Sequence, residues 1–257
     1  IYTLSLHDAL PIWSAGRMGR EILRLIESGY HGAELAAAVD RNAAAQNVYA
    51  KLSDFHGEAD VIIDFSTPDA LPDLLAFATE RKLPLLIATT GHSADQAAQI
   101  RDASTRIPVL HSANTSIAIV LLTELIQRTV ALFPEADVEI VETHHNRKAD
   151  APSGTALTLA RAVQAVRPTA KILTGRSGAS KRKPEDVTIS AVRRGNIVGT
   201  HEVLISTDTQ TITLKHEAHD RALFAEGAIA AAEILARRGP GYLTMQDIFD
   251  EPKGREG

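Results

Sequence analysis

Short, uninterrupted apolar runs that stop at a polar or small residue constrain this chain more than any other feature. ELAAAVD (34–40), VIIDF (61–65), PLLIATT (84–90) and PVLHS (108–112) show no polar alternation. Runs of this length read as strands buried on both faces. The segments between them have a different period. In MGREILRLIES, Met18, Ile22, Leu25 and Ile26 fall on one helical face. DALPDLLAFATERK (69–82) and ADQAAQIRDASTR (94–106) also read as helices, the first disturbed by Pro72 near its start. Strand and helix in alternation predict a parallel sheet with helices on both sides, an α/β nucleotide domain of Rossmann type over residues 1–115. In such sheets, ligands bind outside the carboxyl ends of the strands.

From residue 116 the texture changes. Ser116–Phe133 reads as a helix, and DVEIVETHH (137–145), DVTISAVRRG (186–195), HEVLISTD (201–208) and QTITLKHEA (210–218) alternate apolar with polar residues. Half-buried strands have that pattern. They predict a second, α+β domain with a mixed or antiparallel sheet over 116–220, in which STDTQT is a hairpin turn and TALTLARAVQAV (155–166) a helix. The loop TGRSGASKRKPED is rich in Gly, Ser and charge, and its basic cluster Lys181–Lys183 reads as solvated. DRALFAEGAIAAAEILARR, in the last segment (221–257), is a helix ended by Gly239 and Pro240.

The opening IYTLSLHDALPI fits neither half. It lacks the basic leading region of an export signal, and Pro11 removes a backbone donor that a central strand would use. Residues 1–13 are therefore expected to be foreign to the native fold.

Composition removes several classes of function. With 27 Lys and Arg against 32 Asp and Glu, the net charge is −5, without the basic excess that phosphate-backbone binding needs. No nucleic-acid partner is expected. The absence of cysteine excludes a disulfide framework, a thiolate nucleophile and Cys-ligated zinc. The longest uncharged stretch, Ile107–Thr123, has 17 residues and includes His111, Ser112, Asn114 and Ser116. A spanning helix needs roughly 20 predominantly apolar residues, so no membrane partner is expected either.

A cofactor signal lies at SAGRMGRE. Gly16 and Gly19 stand directly before a helix, where glycine lets the chain approach a pyrophosphate and the first helix amides point at it. A dinucleotide loop normally has an earlier glycine, and Trp13 stands there instead. Asp40 closes ELAAAVD, placed to bond a ribose hydroxyl, and Arg41 beside it suits the extra phosphate of NADP. Further strand ends carry small, hydroxyl or glycine residues: Phe65, Ser66, Thr67 and Pro68; Thr89, Thr90 and Gly91; Ser112, Ala113 and Asn114. Their recurrence suits a rim that presents polar groups to a nicotinamide and its ribose.

The densest chemistry is in ETHHNRKADAPSGTA. His144, His145, Arg147 and Lys148 crowd within five residues at the end of an apolar strand. Four potential cations repel one another, which calls for an anionic ligand such as a carboxylate or phosphate. The next helix starts with Pro152 at an early position, Ser153 or Thr155 as cap, and Gly154 allowing close backbone approach. Its amides form an anion site facing the cations. A metal reading is weaker. Among His111, His144, His145, His201, His216 and His219, no two share the helical spacing of a zinc motif, and the adjacent His144 and His145 point to opposite faces of a strand. No resident metal is expected.

Taken in order from about Ala15 to Phe249, AGRMGR, DFSTP, ATTG, SANTS, ETHHNRKADAPSGTA, RRGNIVGTHEV and HEAHDRALFAEGA resemble one family. It is the 4-hydroxy-tetrahydrodipicolinate (dihydrodipicolinate) reductases of bacterial and plant lysine and diaminopimelate synthesis. The resemblance implies a cytoplasmic enzyme that reduces a small cyclic dicarboxylate with NADH or NADPH. It also implies a homotetramer assembled through the sheets of the substrate domain, with 221–257 returning to the nucleotide domain.

By matching position, His144 would be the general acid and Lys148 would assist it. His145, Lys148, Gly154 and Thr155 would hold the substrate carboxylates. Gly16, Arg17, Met18, Gly19, Asp40, Arg41, Phe65, Thr67, Thr89, Thr90, Gly91, Ser112, Ala113, Asn114 and Thr115 fall at cofactor positions, with Arg221 and Phe224 where the last helix approaches. Trp13 departs from the first loop glycine, and Ala88 stands where the family often has glycine before TTG. Two other readings stay open: another two-domain NAD(P)-dependent dehydrogenase, or a nucleotide-binding protein catalytically impaired by the altered phosphate loop.

Overall fold

The computed structural model describes residues 9–12, 16–40 and 48–249. In chain order its strands are β1 (Ala9–Ile12), β2 (Ala38–Val39), β3 (Val48–Tyr49), β4 (Val61–Asp64), β5 (Leu85–Ile87), β6 (Pro108–His111), β7 (Asp137–His144), β8 (Lys171–Thr174), β9 (Asp186–Arg193), β10 (Gly199–Ser206), β11 (Thr211–Ala218) and β12 (Gly241–Leu243). The α-helices are α1 (Arg17–Glu27), α2 (Leu71–Arg81), α3 (Ala94–Ala103), α4 (Ile117–Leu132), α5 (Gly154–Val166), α6 (Ala222–Leu235) and α7 (Met245–Phe249). Two compact units result, one from residues 1–116 and 221–257 and the other from 117–220.

The first unit holds a sheet in the order β12-β6-β5-β4-β1-β2-β3, parallel at every pairing. The chain winds outward from β1 to β3, returns to the other side of β1, and winds outward again, so the switch point falls between β1 and β4. Val61, Ile62, Ile63, Leu85, Leu86 and Ile87 are all fully buried, which is why their runs show no alternation. The last helix, α6, packs on α1 and on β4 and β5. Its small residues Ala225, Gly227, Ala228, Ala231 and Ala232 permit that close approach.

Two expectations are corrected here. Residues 9–12 are not outside the fold, because β1 is a central strand paired with β4 from Ala9↔Val61 to Ile12↔Asp64. Pro11 is tolerated because strand donors alternate in direction. The Ala9 amide bonds Glu34 O on the β2 side, so the nitrogen of Pro11, two residues on, faces that side too. The pairing there is reduced to Ile12↔Val39, whereas the β4 side uses the amides of the intervening residues. Pro72, in turn, does not disturb α2. It sits in the first turn, where a missing amide costs nothing.

The second unit has a mixed sheet in the order β11-β10-β7-β9-β8, antiparallel at β11/β10/β7 and parallel at β7/β9/β8. The helices α4 and α5 pack on each other and on this sheet. Inward rows alternate with half-exposed residues: Val138 and Ile140 on β7, Ile205 and Val203 on β10, Val187 and Ile189 on β9, all buried against Ile126, Leu159 and Val163 of the helices. Towards one end these rows turn polar: Glu142 and His144 continue β7, and His201 and Gly199 continue β10.

The basic loop is only partly solvated, since Arg182 bridges Asp137 (2.8 Å) and Glu139 (3.3 Å) and donates to the carbonyls of Val138, Lys183 and Asp186. The strands β8 and β12 escape a periodicity reading because they are edge strands of four and three residues. No helix among the described residues is long and apolar enough to cross a membrane.

Candidate active site

The polar end of the second unit's inward face forms one hydrogen-bonded network. Period two places Glu142 between Ile140 and His144 on the buried side of β7, and its side chain is wholly inaccessible. Burial alone would push its carboxyl up. Instead, His144 Nδ1 lies 2.6 Å from Oε2, Arg193 donates to Oε2 and Oε1 at 2.8 Å each, and the Ser153 amide donates to Oε1 at 3.0 Å. These bonds overcome desolvation and hold Glu142 at about 2.

An ionised carboxylate only accepts, so the proton of neutral His144 sits on Nδ1. Nε2 is left for exchange and has no partner among the described residues. The relief of crowded charge expected from a ligand is thus supplied in part by the chain itself. Glu142 answers His144 and Arg193, while Asp150 lies 2.8 Å from Lys148 Nζ, a hydrogen bond that lowers the Asp150 carboxyl. Arg147 turns to the surface and bonds Asn196.

The helix start corrects another detail. Pro152 precedes α5 rather than entering it, and Ser153 is the cap, accepting the Ala156 amide at 3.2 Å. Because the Ser153 amide is tied to Glu142, the cap and the imidazole are anchored on one carboxylate. Gly154 and Thr155 open the helix with no acidic residue in the first turn, and a Cβ at Gly154 would meet nothing within 4 Å. The positive end of α5 is open to an anion there. His145 is half-buried past the strand end, its amide bonded to Ile197 O at 2.8 Å.

Three residues of this network were missed in the sequence: Glu142, Arg193 and His201. The i, i+2 spacing of Glu142 and His144 was an available signal, whereas Arg193 lies 51 residues from Glu142 and has none. His201 faces Glu142 across the β7/β10 register, packs edge-on to His144 with ring centroids 5.1 Å apart, and sets Nε2 3.1 Å from Ser153 Oγ. Burial first, and then the neighbouring His144, lower His201 to about 4 from 6.5.

The folded unit thus prefers neutral His201. Above pH 6.5 both folded and unfolded chains hold it neutral, and as pH falls towards 4 the unfolded chain alone gains the proton. About 3 kcal/mol of stability is expected to be lost across that window. Urea midpoints from pH 7 to 4 measure it, and His201→Gln should flatten the profile there. An unchanged slope in the variant would refute the assignment.

In the first unit, Gly16 caps α1 with no side-chain bond, Arg17 and Met18 start the helix without an acid in the first turn, and Gly19 is buried. Asp40, 3% exposed, follows β2. It lines a cavity of about 800 Å³ together with Ser66, Leu52, Phe55 and Phe77. The strand-end loops are braced from within. Asp64, pushed up by burial against the hydrogen bonds of Ser66 and Thr89, accepts the Ser66 amide at 3.0 Å and the Thr89 hydroxyl at 2.7 Å. Ser112 Oγ donates to Asn114 O, and Thr115 Oγ1 donates to Phe224 O at 2.6 Å, fastening the end of this rim to α6, whose N-cap is Arg221.

Phe65, Thr67 and Ala113 are partly or fully exposed beside these bonds, as are Thr90 and Gly91, the latter at φ 89°. Trp13 and Arg41 lie outside the described residues. No group of three or more potential metal ligands occurs among the described residues. A glycine-capped helix start, a buried acid at the next strand end and an apolar-walled cavity beside that acid fit a dinucleotide.

Fold and site together define the class: a two-unit protein whose first unit is a nucleotide-binding sheet of Rossmann type and whose second is a mixed sheet with a buried acid–imidazole network. The chain belongs to the dihydrodipicolinate reductase family, whose N-terminal model matches residues 13–115 and whose C-terminal model matches 118–249.

The 4-hydroxy-tetrahydrodipicolinate reductase of Clostridium perfringens (strain ATCC 13124) is 39% identical over 241 residues, covering 91% of this chain and 95% of the relative. That of Caldanaerobacter subterraneus subsp. tengcongensis is 40% identical over 237 residues, covering 91% and 94%. A dipicolinate-bound dihydrodipicolinate reductase from Paenisporosarcina sp. TG-14 shares the fold with a TM-score of 0.78 at 23% identity, covering 93% of this chain and 97% of that one. The fold is also shared with an amine dehydrogenase from Mycobacterium smegmatis, with a TM-score of 0.61 at 11% identity and coverage of 94% and 95%.

Proposed function

We propose that the chain reduces 4-hydroxy-tetrahydrodipicolinate to tetrahydrodipicolinate with NADH or NADPH, His144 acting as general acid. The observation that carries this reading is the buried Glu142–His144 pair, which leaves Nε2 as the working nitrogen and is tied through Ser153 to the start of α5. A reduced nicotinamide nucleotide, when bound, supplies hydride. Gly16 and the first amides of α1 would hold its pyrophosphate, and Asp40 a ribose hydroxyl, with Thr90, Ser112 and Asn114 on the nicotinamide side of the rim. Arg41 beside Asp40 suits the extra phosphate of NADPH.

On the substrate side, Lys148 and His145 would pair with the two carboxylates, and the Gly154–Thr155 end of α5 would add its positive pole. Water leaves the hydroxylated ring to give a conjugated imine, and hydride addition leaves negative charge on the ring. The proton that quenches it comes from His144 Nε2 and is regained from solvent. Glu142 keeps the imidazole oriented throughout and stabilises its charged form before transfer.

The test is loss of reduced-nucleotide absorbance on adding freshly generated 4-hydroxy-tetrahydrodipicolinate. Substrate-dependent loss is the expected result. Saturable nucleotide binding with no such loss would favour a binding protein, and oxidation of a hydroxy acid in its place would favour a different dehydrogenase.

A further inference from the structure

We infer that Gly199 is a positioning residue for the general acid, its missing side chain being what lets His144 hold Nε2 in working position. The inference rests on the general-acid reading above and adds to it a residue that touches neither substrate nor nucleotide. Gly199 begins β10, pairs with Ala218 of β11, and stands one residue before Thr200, which faces Thr143 of β7. Its φ lies outside the left-handed region, so the backbone does not demand glycine there. Space does. A Cβ at Gly199 would stand 3.0 Å from Nε2 of His144 and 3.4 Å from its Cδ2. The first distance is shorter than van der Waals contact and falls on the very nitrogen that must give up the proton.

Whether such a contact matters depends on whether the ring can yield, and here it is held at the other nitrogen. Nδ1 is 2.6 Å from Glu142, which is itself gripped twice by Arg193 and once by the Ser153 amide. His201, whose Cε1 is 3.7 Å from the same Cβ position, packs edge-on to the imidazole. A methyl group at residue 199 must therefore either rotate the imidazole out of its bond to Glu142 or cover Nε2. Both outcomes harm proton delivery, and neither touches the first unit.

The experiment compares Gly199→Ala, His144→Gln and the double variant in the full chain. Gly199→Ala is expected to lower kcat by at least about tenfold, to leave the KM for reduced nucleotide within about twofold, and to shift the imidazole limb of the kcat–pH profile. In the His144→Gln background the same substitution should change kcat by less than about twofold, because the group it acts through is gone. Wild-type turnover and pH profile in Gly199→Ala, or an undiminished loss in the double variant, would overturn the inference.

If His144→Gln keeps its turnover, the general-acid reading itself fails. If His144→Gln is impaired and Gly199→Ala is not, only the role of Gly199 fails. Should Gly199→Ala not fold, Gly199→Ala/His144→Ala must recover a cooperative thermal transition, since the colliding ring has been removed. A double variant as unfolded as the single one would count against the proposal.

Discussion

His144→Gln is expected to lower turnover by ~10² to 10⁴-fold, the range a positioned general acid contributes, with affinity for reduced nucleotide within about twofold of wild type. Glutamine fills similar space and keeps a polar tip, but it has no titratable proton. His144 closes the inward row of β7 and is 8% exposed, so the substitution leaves the surface and the first unit untouched. Steady-state kinetics in both substrates separate the effects. A fall in kcat with unchanged nucleotide KM supports the assignment, and an equal weakening of nucleotide binding would defeat it.

The second large effect is expected at Glu142. Glu142→Gln replaces a carboxylate that accepts four donors with an amide that has only one acceptor oxygen, so its own NH₂ must point at Arg193, the Ser153 amide or His144 Nδ1. Breaking a buried ion pair typically costs ~3–5 kcal/mol, and the partial exposure of Arg193 places this one towards the lower figure.

A second signature follows from the carboxyl's own titration, about 2 in the fold against 4.5 as its ordinary value. A depressed acid contributes stability that is complete above pH 4.5 and is lost as pH falls through 2, about 3 kcal/mol in all. Urea midpoints from pH 7 to 2 should therefore drop for Glu142→Gln at neutral pH and lose the limb below pH 4.5. That limb is distinct from the one expected of His201, which lies mostly above it. A variant within about 0.5 kcal/mol of wild type at pH 7 would show that the network contributes little.

What could be read in advance follows the range of the interactions. The strands β4, β5 and β6 and the helices α1 and α3 are local, periodic features, and their residues carry the pattern in full. Pro11 misleads because its effect depends on which neighbouring strand its nitrogen faces, a property of the sheet and not of the residue. Arg182 misleads in the other direction. Its acids, Asp137 and Glu139, lie on a strand more than forty residues away, so a basic loop looks solvated until the sheet brings them together.

By itself, the sequence determined the alternating units, their order, and the concentration of imidazole and ammonium groups beside a capped helix, all properties of spacing within a few turns. Only the tertiary structure decided which nitrogen of His144 is available. That choice depends on a carboxylate that meets a guanidinium 51 residues away, and on a glycine across the sheet leaving room for the ring. The physical reason is that tautomer, burial and clearance are set by what neighbouring strands place within about 3 Å, and register across a sheet is a relation between segments that no single segment contains.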